Sequence, residues 1–577
     1  MSTYLQGNKY LWRLPAYDPK MVCEIAALYN LSMPIAQTLI NRGFADKKSI
    51  DAFLFSSFEK DVPHPRHIKD AEKSVDRILY AIAAGEKILI AGDYDVDGIT
   101  SSAMMLLCLL PLGANINFFL PNRVKDGYGL SVKTVERAAA SNYKVIITVD
   151  NGITAFDPAI RARELGVDLI ITDHHRPHDH LPDAFAIVNP NQKECAYPFK
   201  VLAGVGVTFK LLSLLYETKK MELPPKVYEL LMLGTIADVV PLIGENRYWV
   251  RHGLTYINKY ESPSFAVLKK NGKVTKERLS STDIGFSIAP QINALGRLQD
   301  ARQGVRFLID SNLQEVEQVG AVLLELNEAR KEIERSIYAQ VDQEIIKKNI
   351  NLEHENVILA AHDAWPPGVI GLVASRLMSA YGRPTILFHL TKQGIAKGSC
   401  RSIPEFNMFD ALTSCSDLLM QFGGHSMAAG LSVSRDNLPA LKSRLEALVA
   451  QQLKPEDLKL KLSLDADVSL GDLTKKFISD MAHLEPFGNE NKEPNFYIKN
   501  VVQLQKPTLL KDAHVKCKVF ADGVIKPVIF FNRPELFELL LKQDDEPFAI
   551  AGQVVENHWN DSVNIELRGI DIAGLKG

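Results

Sequence analysis

Four short apolar runs set the character of the first half of the chain. They are Ile88 to Ile90, Val145 to Val149, Leu169 to Ile171 and Phe185 to Val188. Each is continuous rather than alternating, and helical patterns such as Thr100 to Leu110 lie between them. That combination predicts parallel strands buried on both faces of an α/β sheet. The sheet domain is expected over residues 71–310, with residues 1–70 as its helical lead-in. From Ser311 to Lys348 the apolar residues Val319, Leu323, Leu326, Ile333, Ile337 and Val341 recur at helical intervals. Ser311 and Gln314 have capping-box spacing, so one long connector helix is expected over 311–350. A second α/β pattern follows over 351–455, from Val357 to Ala360 and Pro384 to His389. Over 456–577 the pattern turns to β: Phe496 to Val502, Val515 to Phe520, Val528 to Phe531, Phe548 to Val555 and Val563 to Ile572. About five strands at that spacing suggest a small barrel of the oligonucleotide-binding type.

Composition narrows the classes. The chain has 577 residues, 46% of them hydrophobic and 23% charged. That is room for about three or four domains with ordinary cores, and it excludes a disordered or low-complexity protein. No apolar run approaches the roughly 18 residues that a membrane span needs. The opening MSTYLQGNKYLWRLP lacks the charged start and apolar stretch of a signal peptide. The six cysteines are scattered without a C-x-x-C pair, which fits a reducing, cytoplasmic setting better than a disulfide scaffold or zinc ribbon. A formal net charge of −3 argues against a uniform basic coat but leaves room for a local basic groove.

The chemistry gathers at the ends of the predicted strands. The first run is followed by Asp93, Asp95 and Asp97, the second by Asp150, and the third by Asp173, His174 and His175. Asp238, in GTIADVVPL, is a candidate further contribution from a helix end. In open parallel sheets ligands bind beyond these strand ends. So many carboxylates repel one another unless cations neutralise them. Oxygen ligands with one or two imidazoles suit Mg²⁺ or Mn²⁺. Five or six ligands exceed one ion's usual share, and a shared carboxylate such as Asp150 could bridge two ions, as in phosphoryl hydrolysis. A calcium loop starting at Asp93 fails because its twelfth position is Met104, not Glu. A zinc site lacks thiolates and helical spacing. No G-x-x-x-x-G-K-[ST] is present, and Gly204-Val205-Gly206 reaches Phe209 where a dinucleotide fingerprint needs glycine.

GDYDVDG, DNG, TDHH and GTIADVVPL, in that order, resemble the DHH phosphoesterase superfamily. PNRVKDGYGL, INALGRL, GVIGLVASRL, KGSCRS, GGHSMAAG and EPFGNENKEP resemble segments of its single-strand-specific exonucleases, so the likeness runs from about residue 70 to the end. The resemblance implies that Asp95 and Asp97 each bind one of two metals, that Asp150 bridges them, and that His174 binds one ion and Asp238 the other. His175 is expected to face the substrate phosphate or assist the leaving group, with Asp93 and Asp173 as supporting groups. Pyrophosphatase-type members carry a metal-binding His four residues before the first ligating Asp. Here that position is Ala91, which favours the nuclease branch.

The second domain resembles the DHH-associated domain that holds substrate. Ser399, Arg401 and Ser402 are expected phosphate contacts, as are Gly423, Gly424 and His425. A helix beginning in GGHSMAAG would aim its N–H groups at the anion. Asn293 and Arg297 are expected to point to the same cleft. Arg123 is the candidate for a 5′-terminal phosphate pocket, with Arg376 a second. In the barrel Phe520, Phe530, Phe531 and Trp559 could stack bases or serve as core. The implied activity is 5′-to-3′ exonucleolytic hydrolysis of single-stranded DNA to 5′-mononucleotides, in recombination and repair. The implied partners are a DNA strand with a free 5′ end, single-strand-binding protein and a RecQ-type helicase, with no membrane. A phosphodiesterase for short RNA or cyclic dinucleotides, and an inactive scaffold, are the rival readings. All the expected ligands are present, which counts against the scaffold.

Overall fold

The computed structural model describes residues 3–122, 126–347, 355–543, 546–559 and 562–574. It divides into two compact units, Phe55–Glu332 with Pro486–Lys492, and Met1–Leu54 with Ile333–Glu485 and Glu493–Gly577.

The N-terminal strands β1 (Tyr4–Gln6) and β2 (Leu11–Arg13) form a hairpin, and β2 pairs in parallel with Lys461–Ser463. The first 54 residues therefore group with the C-terminal half instead of leading into the sheet domain as expected. One buried carboxylate is a major tie. Asp571 is fully buried and accepts hydrogen bonds from the backbone N–H of Lys9 and Tyr10, from the Trp12 indole at 2.9 Å and from Arg533 at 3.0 Å. A buried charge needs such donors, and the N-terminal hairpin supplies most of them.

In the other unit β3 (Lys87–Ala91) leads into helix α1 (Val96–Leu109), followed by β4 (Asn115–Phe119), β5 (Tyr143–Val149), β6 (Asp168–Thr172) and β7 (Ala186–Val188). All are parallel, in the order β4-β3-β5-β6-β7. Ile88, Ile90, Val145, Ile147 and Ile170 face one core, while Leu89, Ala91, Ile146 and Ile171 face the other. Neighbouring strand residues point to opposite faces, so burial on both sides accounts for the continuous apolar runs. The register sets Ala91 beside Thr148 and Val149 beside Thr172. The following loops therefore emerge along one edge. Helices α2 (Gly204–Thr218) and α3 (Val227–Ala237) pack into the first core. A π-helical turn, Ile284–Ile288, precedes α4 (Ala289–Leu298).

Helix α5 (Leu313–Lys347) has 35 residues. Its first turn is capped by the Asn312 side chain, which accepts the Gln314 N–H at 3.1 Å, so Asn312 and not Ser311 ends the preceding loop. Residues 348–350 of the expected helix lie outside the described residues.

The second sheet has β8 (Ile358–His362), helix α6 (Pro367–Tyr381), β9 (Thr385–Leu390), β10 (Ile395–Arg401), β11 (Leu419–Gly424) and β12 (Ala428–Ser434), and helix α7 (Leu438–Gln452) follows. The strand order is β11-β12-β10-β9-β8. GGHSMAAG is a hairpin, not a helix start: the His425 N–H donates to Ala428 O at 2.8 Å. Gly424 sits at φ +140°, and a Cβ there would meet Ala428 O at 2.5 Å, so the small residues serve a tight turn.

After β13 (Lys461–Ser463) and β14 (Ala466–Asp467) come β15 (Phe496–Gln503), β16 (Thr508–Leu510), β17 (His514–Ala521), β18 (Val524–Phe530), β19 (Phe548–Trp559) and β20 (Ser562–Ala573). The path β15-β19-β20-β18-β17 closes by pairing β15 with β17, giving a five-stranded barrel. Among the described residues no helix is long and apolar enough to cross a membrane.

Candidate metal centre

The loop after β3 turns directly into α1. Asp95 caps that helix, its Oδ1 accepting the N–H groups of Asp97 at 2.9 Å and Gly98 at 3.1 Å. Asp97 lies in the first turn, buried, and its two oxygens accept the Gly204 and Val205 N–H groups at 2.7 Å each. Those N–H groups are the start of α2, where the helix end carries partial positive charge. Gly204-Val205 is thus a carboxylate cradle, a role that inspection for a dinucleotide fingerprint does not reveal. Gly204 also lies against Asp150, whose Cβ and Oδ1 would be 2.6 Å from an added Cβ.

Asp150 follows β5 at φ +61°, the left-handed region that Asp tolerates better than most residues. The Tyr128 hydroxyl donates to its carbonyl at 3.2 Å. At the end of β6, buried Asp173 is a hub. Its Oδ1 accepts the His174 and His175 N–H groups and pairs with His175 Nδ1 at 2.7 Å, while Oδ2 accepts the Ile153 N–H. Asp173 therefore orients His175, which stays half-exposed. Asp238 closes α3 as its C-cap. From the other side Asn293 on α4 accepts the Val96 N–H at 3.2 Å, and Gly296 allows α4 to approach Tyr94 O. Asn293 thus braces the metal loop, where a substrate contact was expected.

The potential ligand atoms fall into overlapping groups. Those of Asp97, His174 and Asp238 lie within 4.8 Å of one another, as do those of Asp93, Asp95 and Asp150, and those of Asp150, His174 and His175. His174 Nε2 is 3.2 Å from Asp150 Oδ1 and 3.5 Å from Asp238 Oδ2, so Asp150 reaches both main groups. The candidate ligand atoms of His174 and Asp238 thus lie together with that of Asp97, and that of Asp93 with that of Asp95.

These residues fit divalent cations. Asp150 Oδ1, Asp238 Oδ2 and His174 Nε2 are buried and make no hydrogen bond among the described residues, an arrangement that is costly unless an ion satisfies it. The electrostatics agree. Burial, then the neighbouring Asp95, pushes the Asp97 carboxyl up to about 7. Burial and the surrounding carboxylates hold Asp150 and Asp238 well above the ordinary range. Burial lowers His174 to about 4, leaving its ring neutral and able to ligate. For His175 burial acts downward, but the bond to Asp173 outweighs it and the ring is raised. Burial acts upward on Asp173, and its hydrogen bonds to His175 bring it below the usual value.

The residues of the second sheet form a separate cluster. Arg401 Nη1 donates to Ser399 Oγ at 3.2 Å and to Cys400 O at 2.7 Å. Gly371 on α6 lies so close that an added Cβ would be 2.8 Å from Ser399 Oγ. Ser399 pairs with Gly430, and Gly430 with Gly423, so glycines continue the row across the sheet, with Gly424 and His425 exposed at its end. Ser402 does not join it: it is fully buried and its hydroxyl donates to Phe406 O at 2.7 Å, closing a turn. Arg376 stacks on the Tyr338 ring of α5, 4.2 Å from its centroid. Arg297 is half-buried on α4. Arg123 lies outside the described residues. In the barrel Phe530 is core, whereas Phe531 is exposed beside His514 and Arg568. The side chain of Trp559 lies outside the described residues.

A parallel sheet carrying GDYDVDG, DNG and TDHH on consecutive strand ends, with an associated sheet domain and a closed barrel, defines a DHH phosphoesterase. Family models match in that order: the DHH family N-terminal domain over residues 87–235, the DHHA1 domain over 354–451 and the RecJ OB domain over 464–571. The single-stranded-DNA-specific exonuclease RecJ of Bacillus subtilis is 35% identical over 98% of this chain and 71% of its own. The chain belongs to the RecJ family. Among solved structures, RecJ from Thermus thermophilus in complex with Mn²⁺ matches with a TM-score of 0.81 and 28% identity, over 98% of this chain and 80% of that one. The same protein with Mg²⁺ matches at 0.75 and 26%, over 98% and 79%.

Proposed function

We propose that this chain is a metal-dependent exonuclease that hydrolyses single-stranded DNA from its 5′ end, releases 5′-mononucleotides and uses two ions of Mg²⁺ or Mn²⁺. The observation that carries the reading is Asp150. It is buried, makes no hydrogen bond at Oδ1 among the described residues, and stands between the Asp93–Asp95 group and the Asp97–His174–Asp238 group. Divalent ions held there would activate water and offset charge on the scissile phosphate. The protein's own part is positioning. Asp97 is fixed by α2 and Asp95 by α1. Asp173 keeps His175 oriented and inclined to hold its proton, so its N–H can meet a phosphate oxygen or the leaving group. Arg401 and Ser399, with the glycine row ending in Gly423, Gly424 and His425, offer a second phosphate contact surface. Arg123 and Arg297 remain proposed strand contacts, and exposed Phe531 is a proposed stacking partner for a base.

Such an enzyme would work on strands exposed by a RecQ-type helicase and covered by single-strand-binding protein, in the cytoplasm. The six free cysteines suit that compartment. The test uses 5′-labelled single strands and blunt duplex with Mn²⁺ or Mg²⁺. The label should leave single strands first, as a mononucleotide, and chelator should stop the reaction. Equal attack on blunt duplex, or activity that survives chelation, would overturn the proposal.

A further inference from the structure

The geometry points to the turn Pro486–Lys492 as a positioning element for the metal ligand Asp238, with Asn489 as its positioning residue. The inference rests on the reading of Asp238 as a ligand. This turn lies within EPFGNENKEP, and the chemistry described above gives that motif no role.

Asp238 needs external support. Among the described residues its Oδ2 makes no hydrogen bond, so no donor there aims that oxygen, and its direction follows from the backbone. The next residue, Val239, stands at φ +60°, where a β-branched residue is an outlier. Val239 is 63% exposed, so little packing of its own side chain holds it there. The 486–492 turn supplies the missing restraint. Asn489 Nδ2 donates to Val239 O at 2.8 Å, and Asn489 O accepts the Leu242 N–H at 2.9 Å. The two bonds straddle the bend that follows Asp238. Gly488 lets the turn lie flat on Leu242, whose Cδ1 would be 2.6 Å from an added Cβ.

The turn is stiff enough to act as a template. Gly488 and Asn491 exchange backbone hydrogen bonds of 2.8 and 3.2 Å, and buried Asn491 donates its amide to Pro486 O at 2.8 Å. A further bond, from Ser281 Oγ to Phe487 O at 2.6 Å, ties the turn to the chain that enters α4. Asn293 on that helix braces the head of α1. One seven-residue turn therefore contacts the supports of both sides of the carboxylate cluster, and its strongest hold is on the Asp238 side.

The experiment is a Mn²⁺ titration of the metal-free full chain, read by the paramagnetic resonance of free Mn²⁺ and by hydrolysis of a single strand. Loss of a group that orients a ligand lowers metal affinity by roughly 10–100-fold. Asn489→Ala should raise the half-saturating Mn²⁺ by about tenfold or more on that basis. The rate at saturating Mn²⁺ and the KM for the strand should stay near wild type. Asn489→Asp, which keeps the size but loses the donor, should act in the same direction and serves if the alanine variant folds poorly. Adding Val239→Gly to Asn489→Ala should restore most of the affinity, because glycine adopts φ +60° without help. Wild-type Mn²⁺ dependence in both Asn489 variants, or no recovery on adding Val239→Gly, overturns the inference. Asp238→Asn separates it from the underlying reading. If Asp238→Asn binds Mn²⁺ like wild type, Asp238 is not a ligand. If it loses an ion while both Asn489 variants behave normally, only the positioning role falls.

Discussion

At the residue scale the centre is defined by carboxylates kept where water cannot solvate them. Asp97, Asp150 and Asp238 all sit above the ordinary carboxylate range, chiefly through burial and then through the charge of neighbouring carboxylates, Asp95 among them. An acid whose folded pKa is raised adds stability that is complete below its unfolded value near 3.8 and is lost as pH rises through the folded value. For Asp97 that value is about 7. The metal-free protein should therefore lose stability as pH rises from about 4 to about 7. Mn²⁺ binds the deprotonated set and should reverse the trend, with protons released on binding. Urea unfolding at the two pH values, with chelator or with Mn²⁺, checks this. Asp173→Asn should cut the turnover rate by roughly 10–100-fold, the usual effect of losing an orienting partner. It should also lower the His175 pKa, measurable by NMR titration. These residues were legible because each motif is contiguous and ends a recognisable strand. The grouping of His174 with Asp238, and of Asp93 with Asp95, was not, since it depends on how α1 and α3 approach in space.

At the element scale the apolar runs read correctly as parallel strands because burial on both faces writes itself as unbroken hydrophobicity. Helix starts were harder. GGHSMAAG has the small residues of a phosphate-binding helix start but forms a hairpin, since Gly424 takes a φ that suits a turn between paired strands. Conversely, Gly204-Val205 looked like a failed nucleotide motif and proved to be the N-terminus that holds Asp97. The distinguishing signal, the closeness of Gly204 to Asp150, is tertiary. Gly204→Ala should destabilise the protein by about 1–3 kcal/mol, as overpacking does. It should also weaken Mn²⁺ binding, because the new methyl would displace Asp150. Denaturant midpoints and a Mn²⁺ titration measure the two effects.

At the scale of the whole molecule the least legible feature is the return of the N-terminus to the C-terminal half. Trp12 and Asp571 are 559 positions apart, and no local pattern announces their bond. Asp571→Ala would deprive the largely buried Arg533 of its buried carboxylate partner, leaving it only the half-exposed Glu535, and would strand the Trp12 indole N–H. Removing one member of a buried pair costs about 3–5 kcal/mol, which a fall in the unfolding midpoint should register. Turnover per folded molecule at saturating Mn²⁺ should change little, since Asp571 lies outside the unit that carries the carboxylates. The proposed chemistry requires two ions sharing Asp150. Calorimetric titration of the metal-free chain with Mn²⁺, in wild type and Asp150→Ala, tests this most directly. Two ions per chain are expected for wild type, and loss of that binding together with hydrolysis for the variant. A single ion in wild type, or unchanged binding and hydrolysis in Asp150→Ala, would contradict it.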